Sequence, residues 1–288
     1  MIFEHEIPAG SHLYFGPSAR LKRSIETEAA EHLLAEGYQE IVTPIFSYHQ
    51  HESFADRRPL VRLNDADNHE VSLRADSTAD VVRLITRRLG RSHTGGKWFY
   101  IQPIFTFPTQ EQHQIGAEVI DGTFDQIAQT ALDLMQRLGL TPRMQIANIA
   151  IPRLLSERYG IALADIEAMR IETILSHDYA WIESLVRIHT IEDLHDLQRY
   201  PEDIAAELRR IADAAEGIAY ADVVIAPLYF AQLRYYDALL FRMVEGNALL
   251  ATGGTYRIDA LSAAGFALYT DACIAHILQK DLHEHQAG

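Results

Sequence analysis

The sequence is short of cysteine, of positive charge and of long apolar runs, and each shortage removes a class of protein. A single cysteine, Cys273, in 288 residues leaves no disulfide framework and no cysteine-built metal site. It sits in an apolar run that reads as the buried face of a last helix, and this usage suits a reducing, cytoplasmic setting. Lys and Arg number 25 against 40 Asp and Glu, a formal net charge of -15. Nucleic-acid affinity rests on cations that neutralise phosphate, so a broad tRNA- or DNA-binding surface is not expected. No uninterrupted apolar stretch reaches the ~18 residues of a membrane span. The N-terminal MIFEHEIPAG has no basic region ahead of an apolar core, so neither secretion nor membrane insertion is expected. Catalytic and metal motifs are missing too. His49-Gln-His51 and His283-Glu-His285 have no third ligand nearby, and neither HExxH nor a Cys/His knuckle occurs, so no metal and no cofactor is expected. Ser11, Ser47 and Ser53 lie near histidines without a G-x-S-x-G elbow and read as polar loop residues. Arg87-Arg88, with Arg91 beyond them, and Arg209-Arg210 read as helix-end cations that complement the helix dipole.

What is present is enough for a substantial core: 48% of residues are hydrophobic and 23% charged, and a chain of this length buries roughly three quarters of its unfolded surface. Ser18 to Gly37 has helical periodicity, with Leu21, Ile25, Ala29, Leu33 and Leu34 on one stripe. Glu40 to Phe46 reads as a strand that Pro44 confines to an edge, a bulge or a subunit boundary. Val71 to Thr78 reads as a short strand running into an N-cap at Ser77 or Thr78, with a helix from Ala79 to Leu89. Lys97 to Phe107 and Glu111 to Ile120 form a hairpin, and a helix follows Thr123 with Phe124, Ile127, Ala128, Ala131, Met135 and Leu138 inward. From Ile151 to Gly217 the pattern is almost wholly helical. Strands return at Val223 to Ile225, Tyr235 to Val244 and Ala248 to Thr252, the last two joined by a turn at Glu245-Gly246-Asn247. Gly265 and Phe266 lead into a terminal helix ending near Leu282. The expected fold class is α+β, an antiparallel sheet flanked by helices with a helical insertion. The expected organisation is a core formed by 1–150 and 218–288, interrupted by the insertion at 151–217.

The hairpin QPIFTFPTQEQHQIGAEVI, Gln102 to Ile120, contains no Lys or Arg. Strand periodicity puts Gln114, Gly116 and Glu118 on one face and His113, Ile115, Ala117 and Val119 on the other. The Cα atoms of Gln114 and Glu118 would be ~13 Å apart, wide enough for a small ligand lying across Gly116. Two acceptor ends suit a cation or N–H donors; the alternative is a solvated sheet face with an incidental glycine.

An ordered set of short motifs then carries a resemblance: Gly37-Tyr-x-Glu-Ile-x-Thr-Pro-Ile45, Leu73-Arg-x-Asp-x-Thr78, Phe99-Tyr-Ile-x-Pro-x-Phe105, His113-Gln-x-Gly-x-Glu-Val-Ile120, Tyr235-Tyr236 and Gly253-Gly254-x-Tyr256. From about residue 5 to 282 the chain resembles the catalytic domain of class II histidyl-tRNA synthetases. The resemblance implies a histidine-type pocket built from Asp76, Thr78, Gln114, Gly116, Glu118, Tyr235 or Tyr236, and Gly253 and Gly254. It also implies a dimer interface along the proline-bearing strand, at Ile41, Pro44, Ile45 and Phe46.

Departures from that family are equally informative. Thr106 stands where a synthetase carries an arginine for the amino-acid carboxylate and the ATP α-phosphate, and the basic loop after it has shrunk to Pro108-Thr109-Gln110. A second arginine's place falls near Ala231, and the glycine-rich adenine motif is replaced by Gly265-Phe-Ala-Leu-Tyr-Thr-Asp-Ala272. Neutral side chains poorly stabilise the charge that develops on phosphorus, so amino-acid activation is not expected, and no anticodon-binding domain is expected after residue 288. A synthetase core so reduced is similar to the regulatory subunits of short-form ATP phosphoribosyltransferase. That similarity implies a non-catalytic role in histidine biosynthesis: homodimers joining the short catalytic subunit in a hetero-octamer, activating it and conferring feedback inhibition by histidine. Two motifs differ from that family as well, Gly253-Gly-Thr-Tyr-Arg257 for Gly-Gly-Arg-Tyr-Asp and Tyr235-Tyr-Asp-Ala238 for Tyr-Tyr-Thr-Gly. The alternatives are a stand-alone amino-acid-binding paralogue and a divergent aminoacyl or carrier-protein ligase.

Overall fold

A computed structural model of the chain describes residues 6–50, 59–89, 96–230, 236–258 and 261–287. The first helix, α1 (Gly16–Ala35), ends where Gly37 adopts φ +81°. The amides of Gly37 and Tyr38 donate back to the carbonyls of Leu34 and Leu33, a Schellman closure that needs a left-handed residue at that point. Ile25, Ala29 and Leu33 are buried as the periodicity requires, but Leu34 is exposed. The expected strand Glu40 to Phe46 is instead two short ones, β1 (Gln39–Glu40) and β2 (Phe46–Ser47), with Pro44 in the irregular run between them. Proline supplies no ladder donor, and here it ends the pairing rather than sitting within it.

β3 (Arg62–Asn64) and β4 (Glu70–Leu73) complete a small antiparallel sheet in the order β2-β4-β3. α2 (Ser77–Leu84) follows, and its N-cap is Asp76, one residue ahead of the expected position: Asp76 Oδ1 accepts from the Thr78 amide at 2.9 Å. The expected helix to Leu89 finishes as a π-helical turn, Ile85–Leu89.

The large sheet contains β5 (Lys97–Thr106) and β6 (Gln110–Ile120), then, after α3 (Phe124–Arg137), β7 (Arg143–Asn148). Five α-helices and a 3-10 turn at Glu192–Leu194 intervene: α4 (Ala150–Tyr159), α5 (Leu163–Glu167), α6 (Ile171–Leu175), α7 (Ile182–Val186) and α8 (Glu202–Glu216). β8 (Val223–Ile225), β9 (Tyr236–Glu245), β10 (Ala248–Ile258) and β11 (Leu261–Tyr269) return the chain to the sheet, and α9 (Thr270–Ala287) closes it. The run around Gly265 is therefore a central strand, not an approach to the last helix. Strand order is β1-β5-β6-β11-β10-β9-β7-β8. Its middle is antiparallel, as expected for the α+β class, but both edges, β1 on β5 and β8 on β7, pair parallel. β8 returns beside β7 after the helices α4 to α8, and β1 is linked to β5 through the small sheet and α2, connections long enough for parallel pairing.

One sheet face carries the main core. Phe99, Ile115, Ala117, Ile146, Phe241 and Phe266 pack there with α1, α3, α9 and the buried residues of α4 to α8, so the helices between β7 and β8 share the sheet's own core. The opposite face is covered by α2 and holds a smaller cluster of Val82, Ala147, Ile149, Leu240, Tyr256 and Ala263. Arg209 and Arg210 pair with Glu202 and Glu207 at 3.0 and 3.1 Å, so carboxylates rather than helix carbonyls meet these cations. Arg91, His51 and Ser53 lie outside the described residues. No described helix is long and apolar enough to cross a membrane.

Candidate functional site

The sheet face beneath α2 is organised by cross-strand register. Tyr100, Gly116, Ala267, Thr252, Arg242 and Gln145 form one transverse row across six strands, and Trp98, Glu118, Gly265, Gly254, Leu240 and Ala147 form the next. Side chains of one row share a face. Between these rows and α2 lies a cavity of about 230 Å³, lined by Asp76, Thr78, Thr106, Gln112, Gln114, Thr252, Tyr256 and Tyr269 over a floor of Ala75, Ile104, Gly265, Phe266 and Ala267.

The strand-to-helix turn that supplies Asp76 and Thr78 is fixed by Gln50. Its Oε1 accepts from the amides of Ala75 and Asp76 at 2.9 and 2.7 Å, while its Nε2 donates to the Asp76 carbonyl and to Asp80. Gln50 is fully buried, so this side chain replaces a backbone partner for an irregular turn that would otherwise leave polar groups unpaired. Gln114 donates to Gln112 at 3.0 Å along the cavity wall, and the hydroxyls of Thr252 and Tyr269 meet at 2.8 Å on the opposite side.

Glu118 lies beneath the cavity rather than lining it. It is 0% exposed; Thr78 Oγ1 donates to one carboxylate oxygen at 2.8 Å and the Tyr256 hydroxyl donates to the other. Room for the carboxylate comes from Gly265, where a Cβ would fall 1.7 Å from Glu118 Oε2. Burial in a site without a paired cation pushes the Glu118 carboxyl up to about 8, against the smaller opposing pull of the Tyr256 and Thr78 hydrogen bonds. The space over Gly116 is also taken: a Cβ there would lie 2.1 Å from the Tyr100 ring, whose hydroxyl reaches Thr78 Oγ1 at 3.4 Å. The glycine that leaves a gap in the sequence pattern accommodates a tyrosine from the neighbouring strand.

Of the residues singled out in the sequence, Asp76, Thr78 and Gln114 come together at the cavity, with Glu118 and Gly116 just below. Gly253 and Gly254 do not line it. Gly253 faces the main core, where a Cβ would meet the Phe241 ring at 2.5 Å, and a Cβ on Gly254 would meet the Leu239 carbonyl at 2.4 Å. Tyr236 begins β9 and pairs with Tyr256 through the backbone; Tyr235 and Ala231 lie outside the described residues. Thr106 is in the lining, and no Lys or Arg accompanies it there among the described residues. Sequence reasoning missed Tyr100, Thr252, Tyr269, Gln50 and the placement of Tyr256. The period of two along Gly254 and Tyr256, matched to Glu118 through the register, was the available signal for the last. Among the described residues, no group of three His, Cys, Asp or Glu side chains is gathered for a metal ion.

At the proposed interface, Pro44, Ile45 and Phe46 are exposed, as is Val42, which the motif comparison did not single out. Ile41 instead turns inward against Val81, Ile85, Trp98 and Tyr100. The segment is held from behind by Arg74, 2% exposed, whose guanidinium donates to the carbonyls of Thr43 and Pro44 and to the Pro103 carbonyl.

The histidyl-tRNA synthetase family profile matches residues 14–273. An ATP phosphoribosyltransferase regulatory subunit of Wolinella succinogenes is 43% identical over 281 residues, covering 97% of this chain and 98% of the relative. Another, from Helicobacter hepaticus, is 40% identical over 282 residues, covering 96% and 100%. Among solved structures, an ATP phosphoribosyltransferase regulatory subunit/histidyl-tRNA synthetase from Bacillus halodurans superposes with a TM-score of 0.80 at 19% identity, over 96% of this chain and 84% of that one, which establishes the shared fold. A histidine–tRNA ligase subunit from Alicyclobacillus acidocaldarius gives 0.77 at 20% identity, over 98% and 99%. With whole-length relatives of this identity and a matching synthetase profile, the chain belongs to the family of ATP phosphoribosyltransferase regulatory subunits built on the histidyl-tRNA synthetase fold.

Proposed function

We propose that this chain is the regulatory subunit of a short-form ATP phosphoribosyltransferase, without transferase or synthetase chemistry of its own, and that it activates the catalytic subunit and makes it responsive to histidine. The observation that carries the reading is the lining of the synthetase-type cavity. Asp76 and a set of hydroxyls and amides surround it, and Thr106 occupies the wall where phosphate chemistry requires a cation. Such a cavity suits an ammonium group and neutral hydrogen-bond partners. Asp76 would take the ammonium of histidine, with Thr78, Gln114 and Tyr256 around the ring. Glu118, beneath them, would act as a positioning residue that orients Thr78 and Tyr256.

Self-association would use α1 and the segment through Pro44. Val42, Ile45 and Phe46 are 76%, 46% and 57% exposed and lie in one run, an apolar grouping that water disfavours. A homodimer formed there would be the unit that combines with the catalytic subunit in a hetero-octamer. The test is co-expression with a short-form catalytic subunit, then sizing and a transferase assay with and without histidine. The expected result is co-elution, activation above the catalytic subunit alone, and inhibition by histidine only in the complex. Histidine-dependent ATP–pyrophosphate exchange by the purified chain would overturn the reading.

A further inference from the structure

A second cavity lies one strand further along the same sheet face, and a cation is built into it. It measures about 430 Å³ and is bounded by β9, β7, the segment after β8 and the helices α5 to α7. Its walls are mostly apolar, including Met169, Ile171 and Ile188; Arg242 and Gln145 supply polar groups from the sheet, and Glu167, an exposed residue of α5, is a carboxylate in the helical wall. Volume and lining are those of a small-molecule site: a largely apolar recess with a few placed polar groups.

Arg242 sits directly opposite Thr252 of the first cavity and opposite Gln145 on the other side. Its guanidinium lies over the Tyr229 ring at 4.7 Å and donates from one terminal nitrogen to Gln145 Oε1 at 3.1 Å. No carboxylate pairs with it among the described residues, and its Nε is buried without a hydrogen-bond partner. A guanidinium has five N–H donors in a planar fork, so one amide acceptor and one aromatic face leave most of its capacity unused. Leaving a buried donor of a charged group unsatisfied is costly, and an anion arriving in the cavity would remove that cost.

We propose that this cavity binds a small carboxylate with an apolar body, its carboxylate on Arg242 beside Gln145 and its apolar end among Met169, Ile171 and Ile188. The proposal concerns a site separate from the synthetase-type cavity and does not depend on histidine binding there. The apolar walls select against a fully hydrated inorganic anion, whose remaining oxygens would lose their water without replacement.

The probe is 3-phenylpropionate, with its neutral counterpart 3-phenylpropanol and inorganic phosphate as comparisons, each titrated into the full chain by calorimetry and by following the arginine Nε–H resonances of labelled protein. Saturable binding of 3-phenylpropionate should move the Arg242 Nε–H resonance. Arg242→Gln should weaken binding about tenfold or more, the loss of one charge-assisted contact, and Arg242→Lys should recover part of it. Ile171→Trp, which fills the apolar end and leaves the cation in place, should weaken it as well and serves where Arg242→Gln does not fold. Absence of saturable binding, equal affinity for 3-phenylpropanol, displacement by equimolar phosphate, or unchanged binding in Ile171→Trp would each overturn the proposal.

Discussion

Glu118 is the residue on which the first cavity depends. Its carboxyl is enclosed by Thr78, Tyr256 and the space over Gly265, and burial raises it from an ordinary 4.5 to about 8. Below pH 4.5 the carboxyl is protonated in folded and unfolded chains alike, and its contribution to stability is fully present. Between 4.5 and about 8 the unfolded chain releases the proton while the folded chain keeps it, so stability falls as pH rises through this window and levels off above it. Glu118→Gln keeps the shape and removes the proton equilibrium. Urea midpoints measured across the window should fall less steeply with pH in this variant than in the parent; parallel profiles would show that Glu118 does not titrate there. The same carboxyl accepts hydrogen bonds from the Thr78 and Tyr256 hydroxyls, both residues of the cavity lining, and so helps set how they face the cavity.

At the scale of elements, the run from β1 to β2 shows how a buried cation shapes an exposed apolar surface. Arg74 satisfies carbonyls at Thr43, Pro44 and Pro103 that no strand partner reaches, and this holds Val42, Ile45 and Phe46 outward in a fixed array. Phe46→Asp should therefore convert a dimer to a monomer with little loss of fold stability, since the side chain is solvated in the free subunit; sedimentation velocity and thermal melting together check this, and an unchanged dimer would place the interface elsewhere. The same elements show what could be read from the sequence. α1, α3, the β5–β6 hairpin and the turn at Gly246 were legible because their periodicity and turn residues agree with their final burial. β11 was not: Ala263, Ala264, Gly265 and Ala267 lack the branched residues of a strand, and their smallness is set by Glu118 and by close neighbours on both sides, which are tertiary demands. β7 is legible in the sequence, for Met144 and Ile146 alternate with Arg143 and Gln145 as a half-buried strand should. In the site, Asp76, Thr78 and Gln114 could be placed by motif order alone. Tyr100 and Gln50 could not, because each acts across the sheet or a turn on residues distant in the chain.

Taken as a whole molecule, the chain has the sheet and helices of a synthetase core, a net charge of -15 and a first cavity whose one carboxylate among the described residues, Asp76, is surrounded by neutral groups. These features dictate which end of an amino acid the cavity should hold. An ammonium gains a charge-assisted contact with Asp76, and a ring can exchange hydrogen bonds with Thr78, Gln114 and Tyr256. A carboxylate finds hydroxyls and amides where a synthetase offers arginine, forfeiting roughly 1.5–3 kcal/mol for the charged contact it lacks. Arg242 stands across the row from Thr252, within the neighbouring cavity. Histidinol, which keeps the ammonium and the imidazole but has no carboxylate, should consequently bind at least as well as histidine to the isolated chain. Asp76→Asn should weaken both by about tenfold, one charged contact's worth. Calorimetry with the two ligands decides the matter. A strong preference for histidine that survives Asp76→Asn would move the effector site off this cavity, to a surface completed by the catalytic subunit, where the missing carboxylate partner could be supplied by the other chain.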